Sequence, residues 1–220
     1  MNLTRVWAIV LRHIFMVSHQ IERFFDVLLF PVVSIFLWGL VTSYAGVNFG
    51  ELTSFLMGGL ILWMVFERVG SNVGIDFMFD VWERTIMNVL SSPITIVEYI
   101  FGLVFVSLIK VLVSFCAMWI LASIFFGFNI HSLGSYLVLF WINAVIFAVS
   151  LGIFNIAIVI RWGATIGPLT WLIPFLIQPF VAVFYPVSVL PAFVQKIAYF
   201  IPLSPVFVGL SYILKSVHSD

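Results

Sequence analysis

The chain has 220 residues, of which 64% are hydrophobic and only 8% are charged, and its formal net charge at pH 7 is zero. An ordinary soluble domain carries about 25% charged residues, so this composition excludes the usual water-soluble fold and indicates a membrane protein. The zero net charge also argues against a nucleic-acid partner, which would need a basic surface.

The first predicted element, residues 3–25, is an amphipathic helix in the inner headgroup region of the membrane. Arg5, Arg12 and His19 recur every seven residues and Arg23 follows four residues later, so the four side chains share one helical face. We expect this basic face to turn toward anionic lipid. The alternative is that the stretch is only the first turns of the following span.

Five membrane spans are predicted from apolar stretches bounded by charged residues, since about 20 apolar residues cross a bilayer. They cover residues 26–46, 53–72, 96–126, 135–160 and 165–185. The first apolar run is too short for a signal peptide, so we expect the N-terminus to stay in the cytoplasm. Most of the arginines then lie inside, as the positive-inside rule requires.

The connection between the second and third spans is predicted to contain a short helix, residues 80–92, on the cytoplasmic side. Asp80 and Arg84 are four residues apart and could form an ion pair on its polar side. The Ser-Ser-Pro run that ends at Pro93 then stops the helix. From its residues alone, this helix could transmit force from a cytoplasmic partner or could be an inert connection.

Three motifs of the chain resemble those of ABC-2 type transporter permeases, the membrane subunits of ATP-driven exporters. The motifs are Glu83-Arg84-Thr85 with Leu90-Ser91-Ser92-Pro93-Ile94, Glu98 and Gly102; Arg161-Trp162-Gly163; and the run from Phe184 to Pro191 with Ile201-Pro202-Leu203-Ser204-Pro205. They occur in the order of the family, and the resemblance covers residues 1–212. The chain departs from the family at its end, where the last transmembrane helix is expected to be missing.

The resemblance implies an all-α polytopic bundle that forms a translocation path in a prokaryotic plasma membrane. The chain has no phosphate-binding loop of the Gly-x-x-x-x-Gly-Lys-Ser/Thr type. The resemblance therefore assigns ATP and Mg²⁺ to a separate ABC ATP-binding subunit and implies a homodimer or heterodimer of permeases. We expect the chain itself to be no enzyme and to bind no cofactor or metal.

The resemblance also implies two groups of functional residues. Contact with the ATP-binding subunit is assigned to Glu83, Arg84, Thr85, Leu90, Ser92 and Pro93. An extracellular re-entrant segment is assigned to residues 186–214, with Tyr185, Pro186, Pro191 and Pro202.

Polar residues within the predicted spans are candidates for the translocation path. They are Lys110, Asn143, Asn155 and Gln178. Lys110 could contact substrate, extend to the interface, or pair with a neighbour such as Glu67. The three amides could line the path or join helices by hydrogen bonds.

Two other functions stay open on the sequence. An ion-coupled secondary transporter would usually carry acidic residues at mid-span and an internal repeat, whereas Glu67 and Glu98 lie near the inner ends of spans. An intramembrane enzyme would need a nucleophile with a base, or metal ligands, at membrane depth, and all four histidines lie outside the predicted spans. No residue selects among drug, lipid and glycan substrates.

Overall fold

A computed structural model describes the backbone of residues 1–44, 51–128, 130, 134–185 and 187–219. These residues contain helices and connections but no strand, so the predicted all-α bundle is confirmed. The helices are α1 (Leu3–His19), α2 (Ile21–Tyr44), α3 (Glu51–Trp82), α4 (Ile86–Leu90), α5 (Ile96–Phe126), α6 (Tyr136–Trp162), α7 (Pro168–Val181), α8 (Ala192–Phe200) and α9 (Ser204–Ser219). We call the end of the bundle with α1 and α4 the inner end, and the end with α8 the outer end.

Among the described residues, three helical segments are long and apolar enough to cross a membrane: Arg23–Thr42, Ile96–Phe126 and Tyr136–Trp162. They agree with the first, third and fourth predicted spans, although positions 45 and 46 of the first lie outside the described residues. A fourth candidate is α8 with the first part of α9, a pair bent by 100°. These helices are those of a membrane protein.

The second and fifth predicted spans differ from this pattern. Residues 53–72 belong to α3, whose 32 residues are about 48 Å long at about 1.5 Å per residue. Helix α3 is the central helix, packed against α2, α5, α6, α7 and α9. It can therefore carry charged residues that a lipid-facing helix would expose. In the fifth span, α7 has only 14 residues, and Ala182 in the left-handed conformation (φ 57°) follows its end.

The contact between α3 and α6 depends on small residues. A Cβ atom added at Gly152 would lie 2.7 Å from the Cβ of Val73, which is too close for any side chain at that position. The two backbones therefore approach as closely as membrane helices with glycine interfaces do. Further along the same contact, the rings of Phe66 and Phe147 stack with centroids 5.2 Å apart.

Helix α1 is shorter than predicted and faces the other way. It ends at His19, Gln20 is extended, and residues 21–25 belong to α2. Arg5 and Arg12 form ion pairs within the protein. The prediction that the basic face turns toward lipid headgroups is therefore wrong for these two residues, because buried acidic groups of α3 and α5 compete for them. Large apolar side chains of α1 are exposed instead; they are Leu3, Trp7, Leu11, Ile14 and Phe15.

The predicted helix over 80–92 is broken in the structure. Helix α3 continues to Trp82, Arg84 adopts a left-handed conformation (φ 56°), and α4 covers only Ile86–Leu90. The predicted pair of Asp80 with Arg84 is therefore wrong, since four-residue pairing needs a continuous helix through both positions. The Asp80 side chain is fully buried in the protein, and Arg84 is exposed.

The outer segment bends by 100° between α8 and the first part of α9. Pro191 precedes α8, and Pro202 lies in the bend between α8 and α9. Tyr185 donates a hydrogen bond of 2.6 Å to the carbonyl oxygen of Pro179. Helix α9 then packs against α3, where Leu210 contacts Gly58. Pro186 lies outside the described residues.

Candidate translocation groove and inner charge network

A groove runs along α3 between α2 and α7, and it consists of two adjoining cavities. The inner cavity has a volume of about 580 Å³ and the outer cavity about 470 Å³. Both are in the range of roughly 300–1,000 Å³ that small-molecule sites occupy. They share the lining residues Asp26, Phe30, Ile75 and Trp171, so they form one continuous depression.

The inner cavity is lined by paired charges. Lys110 of α5 donates hydrogen bonds of 2.7 and 2.8 Å to both carboxylate oxygens of Asp76 on α3. Arg23 of α2 donates a hydrogen bond of 3.0 Å to Glu83, and its guanidinium lies 4.6 Å from the ring centre of Phe79. Opposite charges inside a membrane bundle are expected to pair in this way, because an unpaired one is costly.

Arg23 also retains an unused donor. Its Nη1 atom is buried, donates no hydrogen bond to any of the described residues, and lies 4.0 Å from the nearest oxygen of Asp76. A buried donor without an acceptor costs free energy. An oxygen atom of a ligand or a water molecule in the inner cavity would satisfy it.

The outer cavity is mainly aromatic. Its rings are Phe30, Trp38, Trp63, Trp171, Phe175 and Phe184. Trp38 and Phe184 stack with centroids 4.5 Å apart and connect α2 to the chain that follows α7. The charged residues of this cavity are Asp26, Glu67 and Arg68, and Gln178 is among its polar ones.

The structure places the four predicted path residues in four different positions. Lys110 lines the inner cavity and Gln178 the outer one. Asn155 is buried, and its amide nitrogen donates to the carbonyl oxygens of Gly70 at 3.1 Å and Thr170 at 3.5 Å, so it joins α6 to α3 and α7. Asn143 is exposed on α6.

The predicted partner of Lys110 was wrong. Lys110 pairs with Asp76, whereas Glu67 lies 3.3 Å from Nε of Arg68 on its own helix. Which residue of a neighbouring helix meets a side chain depends on tertiary packing, which spacing along the chain does not give.

A second cluster lies at the inner end, centred on Asp80. Its carboxylate accepts hydrogen bonds from Arg12 (3.1 and 2.6 Å), from Tyr99 (2.5 Å) and from Thr85 (3.1 Å). Nε2 of His13 lies 3.5 Å away. These contacts join α1, α3 and α5 with the turn before α4. Charge-assisted hydrogen bonds of this kind are the strong ones, so the cluster fixes the position of that turn.

The six residues assigned to coupling lie in the turn and short helix between α3 and α5. Thr85 also accepts a hydrogen bond of 2.8 Å from Arg12. Ser92, just beyond the end of α4, donates a hydrogen bond to the carbonyl oxygen of Val89. The exposed residues of this segment form a surface that we call the α4 surface; they include Glu83, Arg84, Met87, Asn88, Leu90, Ser91 and Pro93.

The residues that sequence reasoning missed are the acidic partners of this network. The sequence predicts Asp80 on the polar side of a cytoplasmic helix, but Asp76 and Asp80 are 2% and 0% exposed within the bundle. Glu98 was noted only as part of a motif, yet it accepts a 2.6 Å hydrogen bond from the backbone nitrogen of Asn2. One sequence signal could have revealed Asp76 and Asp80: no helix-breaking proline separates them from the second predicted span.

No protein-family model matches the chain, and a search of curated proteins finds no match. The groove and the α4 surface must therefore be interpreted from their own residues. In the part of the chain that the structure describes, no group of three or more His, Cys, Asp or Glu side chains is arranged to hold a metal ion.

Proposed function

We propose that this chain is the transmembrane permease subunit of an ATP-driven ABC-2 type exporter. The groove along α3 would be its translocation path, and the α4 surface would contact a separate ATP-binding subunit that holds ATP and Mg²⁺. The observation that carries the proposal is the direct link between these two places. Glu83, at the edge of the α4 surface, is hydrogen-bonded to Arg23 in the lining of the inner cavity.

This link gives a physical route for coupling. The α4 surface exposes apolar side chains, with Met87 65% and Leu90 57% exposed, beside the charged Arg84. Such a mixture of apolar and charged groups is typical of interfaces between proteins. A partner that pushed on α4 would move Glu83 and Thr85, and through them Arg23 of α2 and Asp80 of α3. Two arrangements of these helices could then alternate the access to the groove.

The groove is open on the side between α2 and α7, which supports the proposed dimer. A second permease placed on this side would enclose the path, as a two-fold interface allows. The proposal includes a prokaryotic plasma membrane and a cytoplasmic N-terminus. In that orientation the α4 surface faces the compartment that contains ATP.

The test is co-purification with the ATP-binding subunit encoded beside this gene. We expect Glu83→Ala with Arg84→Ala to reduce the retained ATP-binding subunit at least about fivefold, because central interface residues commonly contribute a kcal/mol or more. The matched control is Lys196→Ala, an exposed charge in α8 at the outer end, which should leave retention unchanged. Equal retention by both variants would contradict the proposed role of the α4 surface.

One observation favours a second candidate, an ion-coupled secondary transporter. The Asp76–Lys110 pair lies in the groove and joins α3 to α5, and intramembrane acid–base pairs serve in proton relays. The two candidates differ in their energy source. Substrate movement driven by a pH gradient, in vesicles that contain the chain alone, would support the second candidate and contradict the first.

A further inference from the structure

The outer cavity has an aromatic lining that is suited to a cation. Its six rings come from α2, α3, α7 and the residues that follow α7. One positive group already uses this lining, since the guanidinium of Arg68 lies 5.3 Å from the ring centre of Phe30. The faces of aromatic rings attract cations, and Trp does so most strongly. Trp171 and Phe175 are about half exposed, so their rings are accessible to a ligand.

The outer cavity has more negative than positive side chains, which also favours a cation. Arg68 donates a 2.6 Å hydrogen bond from its Nη1 atom to Asp26. Glu67 forms an ion pair with Nε of the same Arg68 at 3.3 Å, but this buried Nε makes no hydrogen bond within the described residues. One guanidinium therefore serves two carboxylates, and the pairing of Glu67 is the weaker of the two.

The inner cavity does not compensate for this excess. Its own cations are each committed to a carboxylate, Arg23 to Glu83 and Lys110 to Asp76. Over the whole groove, the lining contains four carboxylates and three cations. An anionic ligand in the outer cavity would face this excess, because the free Nη1 donor of Arg23 lies in the inner cavity.

We propose that the outer cavity binds organic cations with a large apolar or aromatic body, with the positive centre near Glu67 and the body among the rings. This inference rests on the proposed function, for which it names the substrate class. Its two requirements are independent of each other. The carboxylate of Glu67 selects the sign of the charge, and the aromatic lining, with Trp171 at the junction of the two cavities, holds the body.

The experiment uses two probes of the same shape and opposite charge, tetraphenylphosphonium and tetraphenylborate. Their binding to the purified full-length chain is measured by equilibrium dialysis in a non-ionic detergent, with empty micelles subtracted. We expect the cation to bind at least about tenfold more tightly than the anion, since a weakly paired carboxylate in a partly buried site attracts a nearby cation and repels an anion by a difference of about 1.4 kcal/mol or more. Equal affinities would overturn the proposal without the use of any variant.

Variants then locate the site. We expect Glu67→Gln to weaken tetraphenylphosphonium about tenfold, and Trp171→Leu to weaken it about threefold to tenfold while Trp171→Phe weakens it less. The matched control is Glu98→Gln, which removes a carboxylate at the start of α5 that lines neither cavity and should leave the affinity within about twofold. Unchanged binding by a monodisperse Glu67→Gln protein would overturn the proposal.

The test separates this inference from the exporter proposal. Binding by the purified chain needs no ATP-binding subunit. If the chain binds both probes equally, the proposed cation site is wrong, whereas the proposed coupling at the α4 surface is still tested by co-purification. Conversely, selective cation binding together with transport that never depends on ATP would keep the cation site and contradict the exporter.

Discussion

Replacing Asp80 with Asn should destabilise the inner end of the bundle strongly. The carboxylate of Asp80 is fully buried and accepts hydrogen bonds from Arg12, Tyr99 and Thr85. An Asn side chain removes the charge and presents an amide donor to side chains that are themselves donors. Arg12 is then left without its carboxylate.

The magnitude follows from the burial of both partners. Breaking a buried ion pair costs about 3–5 kcal/mol, but the Arg12 side chain is 27% exposed and can recover part of its hydration. We therefore expect a loss near the lower limit, about 3 kcal/mol. For a chain of about this length, each kcal/mol shifts the melting temperature by about 2–4 °C, so the expected decrease is about 6–12 °C.

The assay is thermal unfolding of the detergent-solubilised chain, followed by size-exclusion chromatography with fluorescence detection. The control is Asp26→Asn, because the Asp26 carboxylate is 39% exposed and also pairs with an arginine at 2.6 Å. An exposed pair contributes about 1 kcal/mol or less, so this variant should lose at most about 4 °C. Equal decreases for the two variants would refute the reasoning that burial of the Asp80 cluster stabilises the inner end.

Two further predictions use the same assay. Lys110→Met should cost about 3 kcal/mol, because Asp76 is 2% exposed and loses its cation; Lys110→Met with Asp76→Leu should recover most of this loss, and additive losses would show that the two residues are not coupled. Asn155→Leu should cost about 1–2 kcal/mol through its lost bonds to Gly70 and Thr170. The matched change at exposed Asn143 should be nearly neutral, so similar losses would contradict the helix-joining role of Asn155.

The helices that face lipid were predictable from the sequence. The long, largely apolar helices α5 and α6 agree with predicted spans 96–126 and 135–160 to within about two residues. Most side chains that such a helix exposes to lipid are apolar, so composition alone identifies it. The bend near Pro202 was equally readable, because proline removes a backbone donor and interrupts a helix.

The central helix and the charge network were not predictable in the same way. Helix α3 is surrounded by protein and can contain Glu67, Arg68, Asp76 and Asp80, so its charges conceal its continuity to Trp82. The partners of these charges lie far away in sequence, 34 residues for Lys110 and Asp76 and 68 residues for Arg12 and Asp80. The periodicity of neighbouring residues in the sequence does not reveal such distant pairs.

The N-terminal helix shows the same limit. Its heptad spacing correctly placed Arg5 and Arg12 on one face, but the sequence does not reveal whether lipid phosphates or protein carboxylates meet that face. The structure supplies Glu98 and Asp80 as the partners. The left-handed turn at Arg84 was also without a signal, because a non-glycine residue with positive φ is uncommon.

The most direct test of the exporter proposal is ATP hydrolysis and substrate movement in proteoliposomes that contain this chain and the ATP-binding subunit encoded beside its gene. We predict that ATP-dependent movement of a probe such as tetraphenylphosphonium needs both subunits, and that Glu83→Ala with Arg84→Ala reduces it while Lys196→Ala does not. Probe movement by the chain alone under a pH gradient, with no response to ATP when both subunits are present, would contradict the account.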